Sequence, residues 1–236
     1  MGNSTRLTLC DARGPLNDLF EKLSGDDGGQ WFDGLKRFLR KENPFDASPP
    51  DINWALVYEK LGMGAEYAKT LKDMSYPGLW VVPMVPGLTC NKVVAGYRGL
   101  DVQVYTYTDD LNKNVTQNDR DPNRDGPYFV CFRRIIEADD ENKGLSASTL
   151  ATRGHKGSTL LERLVLGFGY YVTTGQHLDV QCVTLCSGSR HSGGSVPSVR
   201  WDSDSRRVNV RWCNPGHASG CLRSRSAVSL SVNPKD

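Results

Sequence analysis

The residues best suited to metal or redox chemistry are four histidines and seven cysteines. The histidines are scattered along the chain, at His155, His177, His191 and His217. They follow neither the HExxH spacing nor the paired CxxC spacing of zinc sites. Cys182 and Cys186 lie four residues apart in a predicted strand, so they share a face, and core packing is favoured over metal binding there. These patterns indicate no metal site and no cofactor.

Two groups of carboxylates could bind calcium or act as general acids and bases. They are Asp109 with Asp110, and Glu137 with Asp139 and Asp140. Neither group has EF-hand spacing, so solvated loops are favoured. The GFG sequence at 167–169 follows the start of a predicted helix, which is the wrong place for a dinucleotide-binding loop. The GxSxG nucleophile motif is absent as well. No catalytic residue is therefore predicted, and the chain is not expected to be an enzyme.

Near the C-terminus, two predicted strands carry apolar residues of one parity, which places them on one face. These frame residues are Val199, Trp201, Val208, Val210 and Trp212. A one-residue slip would bury arginines, so the register is well specified. We expect the frame to lie in the core, where Trp212→Ala would cost about 3–5 kcal/mol. The polar residues of opposite parity should face outward, and replacing them should change stability by only about ±0.5 kcal/mol.

The elements that position these strands begin with helices. A helix is predicted from Pro15, another around the apolar stripe Trp31, Phe32, Leu35, Phe38 and Leu39, and a third from Trp54 to Leu71. Short β-type runs follow, interrupted by one helix whose Thr159 and Glu162 have capping-box spacing. The polar segment 112–127 is predicted to need no packed element. The pattern predicts an α+β chain with an N-terminal helical region at 1–76 and a second domain at 77–236.

The composition of the C-terminal segment is unusual. Between Cys182 and Pro234 there is no Lys, Glu, Gln or Met, although the whole chain contains 11 Lys and 7 Glu. If the first two bases of an AAC or AAT asparagine codon are randomised, the resulting codons can encode Ser, Arg, Asp, His, Gly and Cys, among others. They cannot encode Lys, Glu, Gln, Met or Trp. Codon randomisation therefore accounts for the gap, and the alternative is a Ser- and Arg-rich β segment with ordinary sampling.

The runs LCSGSR, VPSVRW, RRVNVRW and LRSRSAVSL, with the upstream STLLERLVLGFGYYVTTGQHLDVQCVTLC, resemble the variable proteins of diversity-generating retroelements. The resemblance covers roughly Leu79 to Leu230. It implies a C-type lectin fold of the formylglycine-generating-enzyme type, with short antiparallel strands and long ordered loops. In that family a mutagenic reverse transcriptase alters template adenines, which exchanges ligand-binding residues on the scaffold. The implied partner is a macromolecule, expected to be a protein.

By this resemblance the hypervariable segment spans about 186–221. The implied ligand-binding positions are His191, Ser192, Ser198, Arg200, Asp202, Ser205, Asn209, Arg211, Cys213, Asn214, Ser219 and Cys221. Asn209 and Asn214 would be unmutated template residues or residues mutated back.

Two other functions remain as alternatives. Oxidases related to the formylglycine-generating enzymes share the implied fold and need a cysteine pair, which could be Cys213 with Cys221. A nucleic-acid-binding module could use the arginines of the tail and of the first helices, but the formal net charge of +2 and the few aromatics expected at the surface make nucleic acid an unfavoured partner.

The N-terminal sequence lacks the apolar region of a signal peptide. No run approaches the ~18 apolar residues of a membrane span. We therefore expect free cysteine thiols and a cytoplasmic protein without a membrane span, with export by another route or phage association left open.

Overall fold

The computed structural model describes residues 9–39, 49–70 and 74–231 of the 236-residue chain. It divides the chain into two units, Met1–Ala47 and Ser48–Asp236. This division falls before the predicted boundary at residue 76. The difference arises because the segment after residue 53 packs into the second unit, where Trp54, Val57 and Tyr58 are buried.

The first unit contains two helices, α1 (Leu9–Ser24) and α2 (Gly28–Leu39). Pro15 lies inside α1, so this helix begins earlier than predicted. The apolar stripe predicted for α2 is largely at the surface, since Phe32, Phe38 and Leu39 are each at least half exposed.

The second unit contains both helices and strands, and its described helices are all short except the last. They are α3 (Trp54–Lys60), α4 (Gly64–Thr70), α5 (Cys90–Gly99), α6 (Leu111–Asn114), α7 (Pro122–Asp125), α8 (Ala147–Thr152) and α9 (Leu160–Thr174), with a 3-10 turn at Asp140–Asn142. The single helix predicted from Trp54 is thus two helices. Gly62, at φ +67°, separates them in a left-handed conformation that glycine adopts without strain. The predicted end of that helix, Leu71, lies outside the described residues.

The strands form three sheets in the described part of the chain. They are β1 (Leu79–Met84), β2 (Gln103–Thr106), β3 (Val115–Asn118), β4 (Tyr128–Arg133), β5 (Val183–Leu185), β6 (Ser189–His191), β7 (Val196–Asp202), β8 (Arg207–Cys213), β9 (Leu222–Arg223) and β10 (Val228–Ser231). The strand orders are β1-β4-β10, β2-β8-β7-β5-β9 and β3-β6. Most pairs are antiparallel, as expected, but β2 pairs with β8 and β5 with β9 in parallel. The chain is therefore α+β with mixed strand pairing.

Helix α9 is the central helix of the second unit. Thr159 Oγ1 accepts the N–H of Glu162 (3.2 Å), and Glu162 Oε2 accepts the N–H of Thr159 (2.8 Å), which confirms the predicted capping box. Leu164 and Phe168 are fully buried on this helix. At Gly169 an added Cβ would lie 2.8 Å from the Trp54 ring, so the close packing of α3 on α9 requires glycine.

The polar segment 112–127 is ordered into short elements, contrary to the prediction. Two aspartates cap them: Asp110 accepts the N–H of Lys113 in α6, and Asp121 accepts the N–H of Asn123 in α7. Asn123 also binds the backbone of Gly87 and Leu88. The turn-forming residues thus cap helices and join loops by side-chain hydrogen bonds, an arrangement that composition alone does not reveal. No helix in the described ranges has the length and apolarity needed to cross a membrane.

Candidate binding surface

The two C-terminal strands form an antiparallel hairpin whose register separates two faces. Val199 pairs with Val210 and Trp201 with Val208, so these side chains share one face. On the other face Ser198 pairs with Arg211, and Arg200 with Asn209. We call this second side of β7 and β8 the outward face.

The inner face of the hairpin packs on the core of the second unit. Val199, Val208 and Val210 are buried. Trp201 is partly buried, and its ring stacks on His177 with centroids 3.5 Å apart. His177 in turn stacks on Tyr171 of α9 at 4.7 Å. Burial, aided by the nearby Arg163 charge, lowers the pKa of His177 from 6.5 to about 4.

This lowered pKa predicts a loss of stability in mild acid. In the unfolded chain His177 has its ordinary pKa of 6.5, so below that pH the unfolded state binds a proton that the native state excludes. Stability that is fully present above pH 6.5 should therefore decline as the pH falls toward 4. His177→Phe keeps a stacked ring but has no titrating group. We therefore expect the melting temperature of this variant to depend less on pH between 6.5 and 4 than that of the unchanged protein. An unchanged pH profile in this variant would show that other groups cause the decline.

Trp212 does not lie in the core. It shares the parity of Val210, but it pairs with Pro197 near the end of β8, and its side chain is 51% exposed. Parity sets the side of the sheet to which a residue points, whereas the packed elements on that side determine whether it is buried. The prediction that Trp212 belongs to the buried frame is therefore wrong.

The expected cost of Trp212→Ala changes accordingly. Because half of the side chain is already in water, we expect this substitution to lower the free energy of unfolding by about 1 kcal/mol or less. Urea denaturation of this variant and of Trp201→Ala, which removes a ring stacked on His177, provides the check. A loss of several kcal/mol from Trp212→Ala would indicate that this side chain supports the fold after all.

The outward face is only partly open to solvent. Arg200 and Arg211 are exposed, but Ser198 (3% exposed), Asp202 (8%) and Asn209 (1%) are buried. The alternation predicts that these five residues, with Arg207 and Cys213, all face outward into solvent; this is wrong for Ser198, Asp202 and Asn209, and Arg207 and Cys213 are only partly exposed. Asn209 lies on the middle strand of three, between Arg200 and the pairing strand β2, so longer side chains flank it.

Helix α8 covers the end of the outward face where β7 begins and β8 ends. Ala147 and Leu150 of α8 pack with Leu185, Val196 and Leu222 in a small apolar cluster, to which Cys213 adds its side chain. Ser198 lies beside this cluster, because it pairs with Leu185. The open part of the face is therefore the end formed by β2, β8 and the second half of β7.

The remaining predicted ligand-binding positions lie in turns and loops. His191 is half-buried in β6: its Nε2 is 3.1 Å from Asn114 Oδ1, and its Nδ1 accepts the N–H of Gly193. Ser205 lies in the hairpin turn and donates to Asp202. The exposed or partly exposed others are Ser192 after β6 and Asn214, Ser219 and Cys221 in the loop after β8. The structure thus places the predicted positions on the hairpin and on two neighbouring loop regions.

At the open end, Tyr105 was not predicted, and Arg207 was predicted to face outward but not to bind ligand. Tyr105 of β2 pairs with Asn209, so its half-exposed ring lies on the outward face. The guanidinium of Arg207 is 5.0 Å from the centroid of this ring and that of Arg211 is 5.5 Å away. The alternation of Gln103 and Tyr105 with valines was visible in the sequence. The pairing of this strand with β8, which is distant along the chain, was not.

A buried ionic cluster lies beneath the inner face. Asp179 binds Arg163 of α9 at 2.6 Å and Arg225 at 2.7 Å, and it accepts a hydrogen bond from Thr184 of β5. Burial raises the pKa of Asp179, but the two guanidiniums outweigh this effect and lower the net pKa. The backbone carbonyl of Asp179 accepts the N–H of Trp201 (3.2 Å), so the cluster also holds β7.

One group of possible metal ligands occurs in the described residues, formed by Glu137, Asp179 and Cys182 with donor atoms within 4.8 Å of one another. Its oxygens already have partners. Glu137 accepts the consecutive backbone N–H groups of 180, 181 and 182, and Asp179 binds the two arginines. The group therefore stabilises the turn before β5, as carboxylates in a nest of N–H groups do.

Cys213, one of the two cysteines considered for oxidase chemistry, is not activated. Cys213 and Cys221 are free thiols, and the Cys213 thiol lies 3.8 Å from Ser198 Oγ. Burial raises the pKa of Cys213, whereas a nucleophilic cysteine needs a lowered one. This geometry does not favour the oxidase alternative.

Comparison of the chain with protein-family models, with curated proteins and with solved structures gives no match.

Proposed function

We propose that the chain is a hypervariable, non-enzymatic ligand-binding protein of the diversity-generating retroelement type. The outward face of the β7–β8 hairpin and the loops beside it would display exchangeable residues on a C-type lectin scaffold. The observation that carries the proposal is the contrast between the two faces of one hairpin. The exposed positions hold Arg200, Arg211 and the polar loop residues, while the three valines of the opposite face, Val199, Val208 and Val210, are buried.

The scaffold supports this proposal because it holds the hairpin without help from the exposed side chains. The N–H of Trp201 binds the carbonyl of Asp179, and the carbonyl of Pro197 accepts the N–H of Cys186. The buried cluster of Asp179, Arg163 and Arg225 lies behind these contacts. Exchange of Arg200 or Arg211 therefore leaves the core contacts intact, which a hypervariable surface requires.

The C-type lectin assignment rests on the sequence resemblance and on a compatible architecture. The second unit combines short strands, a sheet of mixed pairing, and long ordered loops around the buried helix α9. Loops that position ligand-binding residues on a rigid core are common among binding proteins. Ser198, Asp202 and Asn209 would then be positions where only compact polar residues are tolerated.

The difference between buried and exposed positions predicts that the same Asn-to-Asp change will have different effects on stability at Asn209 and at Asn214. Asn209 Nδ2 donates to Asp202 Oδ2 at 2.8 Å, so Asn209→Asp buries a carboxylate beside another one and loses the donor. We expect Asn209→Asp to cost about 1–3 kcal/mol. The same change at the exposed Asn214 should stay within about 0.5 kcal/mol. Thermal unfolding measures both, and equal costs would contradict the division into open and buried positions.

The decisive test of the proposed function is genomic. In the organism that carries this gene, we expect a neighbouring reverse-transcriptase gene and a repeat of the Cys186–Leu230 coding region. The repeat should differ from the gene mainly at template adenines. A genome without such a repeat, or with differences spread over all four bases, would contradict the proposal.

A further inference from the structure

The open end of the outward face has two notable properties. The residues at its centre are not among the positions expected to vary, and the surface carries more positive than negative charge. Tyr105 lies on β2, outside the hypervariable segment, and Arg207 is not among the positions expected to vary. Their contact, with the guanidinium 5.0 Å from the ring centroid, would therefore stay the same when neighbouring positions are exchanged. This argument rests on the proposed function.

Arginine dominates the charge of this surface. Arg200, Arg207 and Arg211 lie around Tyr105 and Asn209, and the carboxylate on the same face is Asp202. Three arginines against one aspartate leave two positive charges unbalanced. Asp202 is already 3.2 Å from Arg200 and accepts hydrogen bonds from Asn209 and Ser205. Among the described residues, neither Arg207 nor Arg211 has a carboxylate within ion-pair distance.

Two buried polar atoms in this region also lack partners. Asn209 Oδ1 and Arg207 Nε are shielded from water and make no hydrogen bond to the described residues. Buried polar atoms normally have partners, and the unpaired Arg207 Nε is a donor that suits a carboxylate, whereas Asn209 Oδ1 is an acceptor that would need a hydroxyl or amide donor from the same partner. The donors here are mainly guanidinium N–H groups, which match carboxylate oxygens in a planar, two-bond geometry.

We infer that Tyr105 and Arg207 form a constant anchor of the binding surface, and that with Arg200 and Arg211 they bind a carboxylate-rich segment of a protein partner. Tyrosine and arginine are, with tryptophan, the residue types enriched among those that dominate binding energy in protein interfaces. A nucleic acid is the less suitable ligand, because two unbalanced charges are few compared with the ~6–10 phosphate contacts of typical nucleic-acid-binding proteins. Exchange of residues 200 and 211 would tune specificity around the anchor.

The test uses a fluorescein-labelled hexaglutamate peptide as the probe and measures its Kd for the full chain by fluorescence anisotropy. We expect Arg207→Ala with Arg211→Ala to weaken binding by about tenfold or more, and Tyr105→Ala to weaken it several-fold. Tyr105→Phe should retain binding because it keeps the ring. The charge-matched control is Lys92→Ala with Lys113→Ala, which removes two exposed lysines of α5 and α6 and should leave the Kd unchanged.

The results separate this inference from the proposed function. Absence of hexaglutamate binding, or equal weakening by the lysine control, would overturn the acidic-ligand inference, as would tighter binding of an oligothymidylate of equal charge. The genomic repeat tests the proposed function independently of these measurements. If Tyr105→Ala fails to fold, the comparison of Tyr105→Phe with the double arginine variant still decides whether the basic surface binds carboxylates.

Discussion

Replacing Asp179 with alanine is expected to lower the free energy of unfolding by about 3–5 kcal/mol, one of the two largest effects among the substitutions considered. The carboxylate is fully buried between Arg163 and Arg225, and its removal leaves two buried guanidiniums without their counter-charge. It also removes the acceptor for Thr184 of β5. Urea denaturation followed by circular dichroism measures the loss; the backbone carbonyl of residue 179, which accepts the N–H of Trp201, is retained in the variant.

The chain offers a matched control for this substitution. Asp101 has the same left-handed backbone as Asp179, with φ values of +59° and +57°, but Asp101 is exposed. Asp101→Ala therefore isolates the cost of placing alanine in this conformation, which is about 1 kcal/mol. If Asp179→Ala cost no more than Asp101→Ala, the buried ionic cluster would contribute nothing net to stability.

Glu162→Ala is expected to have an effect of similar size, about 3–5 kcal/mol. The buried carboxylate accepts two hydrogen bonds from Arg120 (2.7 and 2.8 Å), one from the Tyr128 hydroxyl (2.9 Å) and one from the N–H of Thr159. It thus joins the start of α9 to β4 and to the loop before α7. Its removal leaves a largely buried arginine unpaired and the backbone N–H of Thr159 without its acceptor, while the Thr159 hydroxyl can still accept the N–H of residue 162.

Thr159→Ala separates the two contributions. This variant removes the hydroxyl that caps α9 but keeps the Arg120–Glu162 pair, so it should cost only about 0.5–2 kcal/mol. The difference between the two losses in urea denaturation shows by how much the Glu162 contacts with Arg120, Tyr128 and the N–H of Thr159 exceed the contribution of the hydroxyl cap. Equal losses would mean that these buried contacts contribute no more than the hydroxyl cap.

Features that depend on neighbours in sequence were predictable. The capping box of α9 was read from the spacing of Thr159 and Glu162, because both groups bind within one helical turn. The hairpin strands followed from the alternation of valines with polar residues, since side chains of a strand alternate between faces. The position of the break between α3 and α4 was missed, although Gly62 was a visible signal for it.

Burial along the hairpin was less predictable, and the errors have a common cause. Trp212 was expected in the core and is exposed, while Asn209 was expected to be open and is buried. Alternation specifies to which side of a sheet a residue points, but not whether another element covers that side. Asn209 is buried at the open end between longer side chains of β7 and β2, and Trp212 is exposed on the inner side near the end of β8.

The amino-acid sequence by itself therefore determined the local structure of the hairpin, the cap of α9 and the unusual residue composition of the tail. These depend on backbone periodicity, short-range hydrogen bonds and codon chemistry, all of which act between near neighbours. The tertiary structure alone decided which outward residues are open and which residues join them. The parallel pairing of β2 with β8 brings Tyr105 beside Arg207, and the ion pairs of Asp179 join segments far apart in the chain. Such contacts arise from the packing of distant elements, which no local pattern encodes.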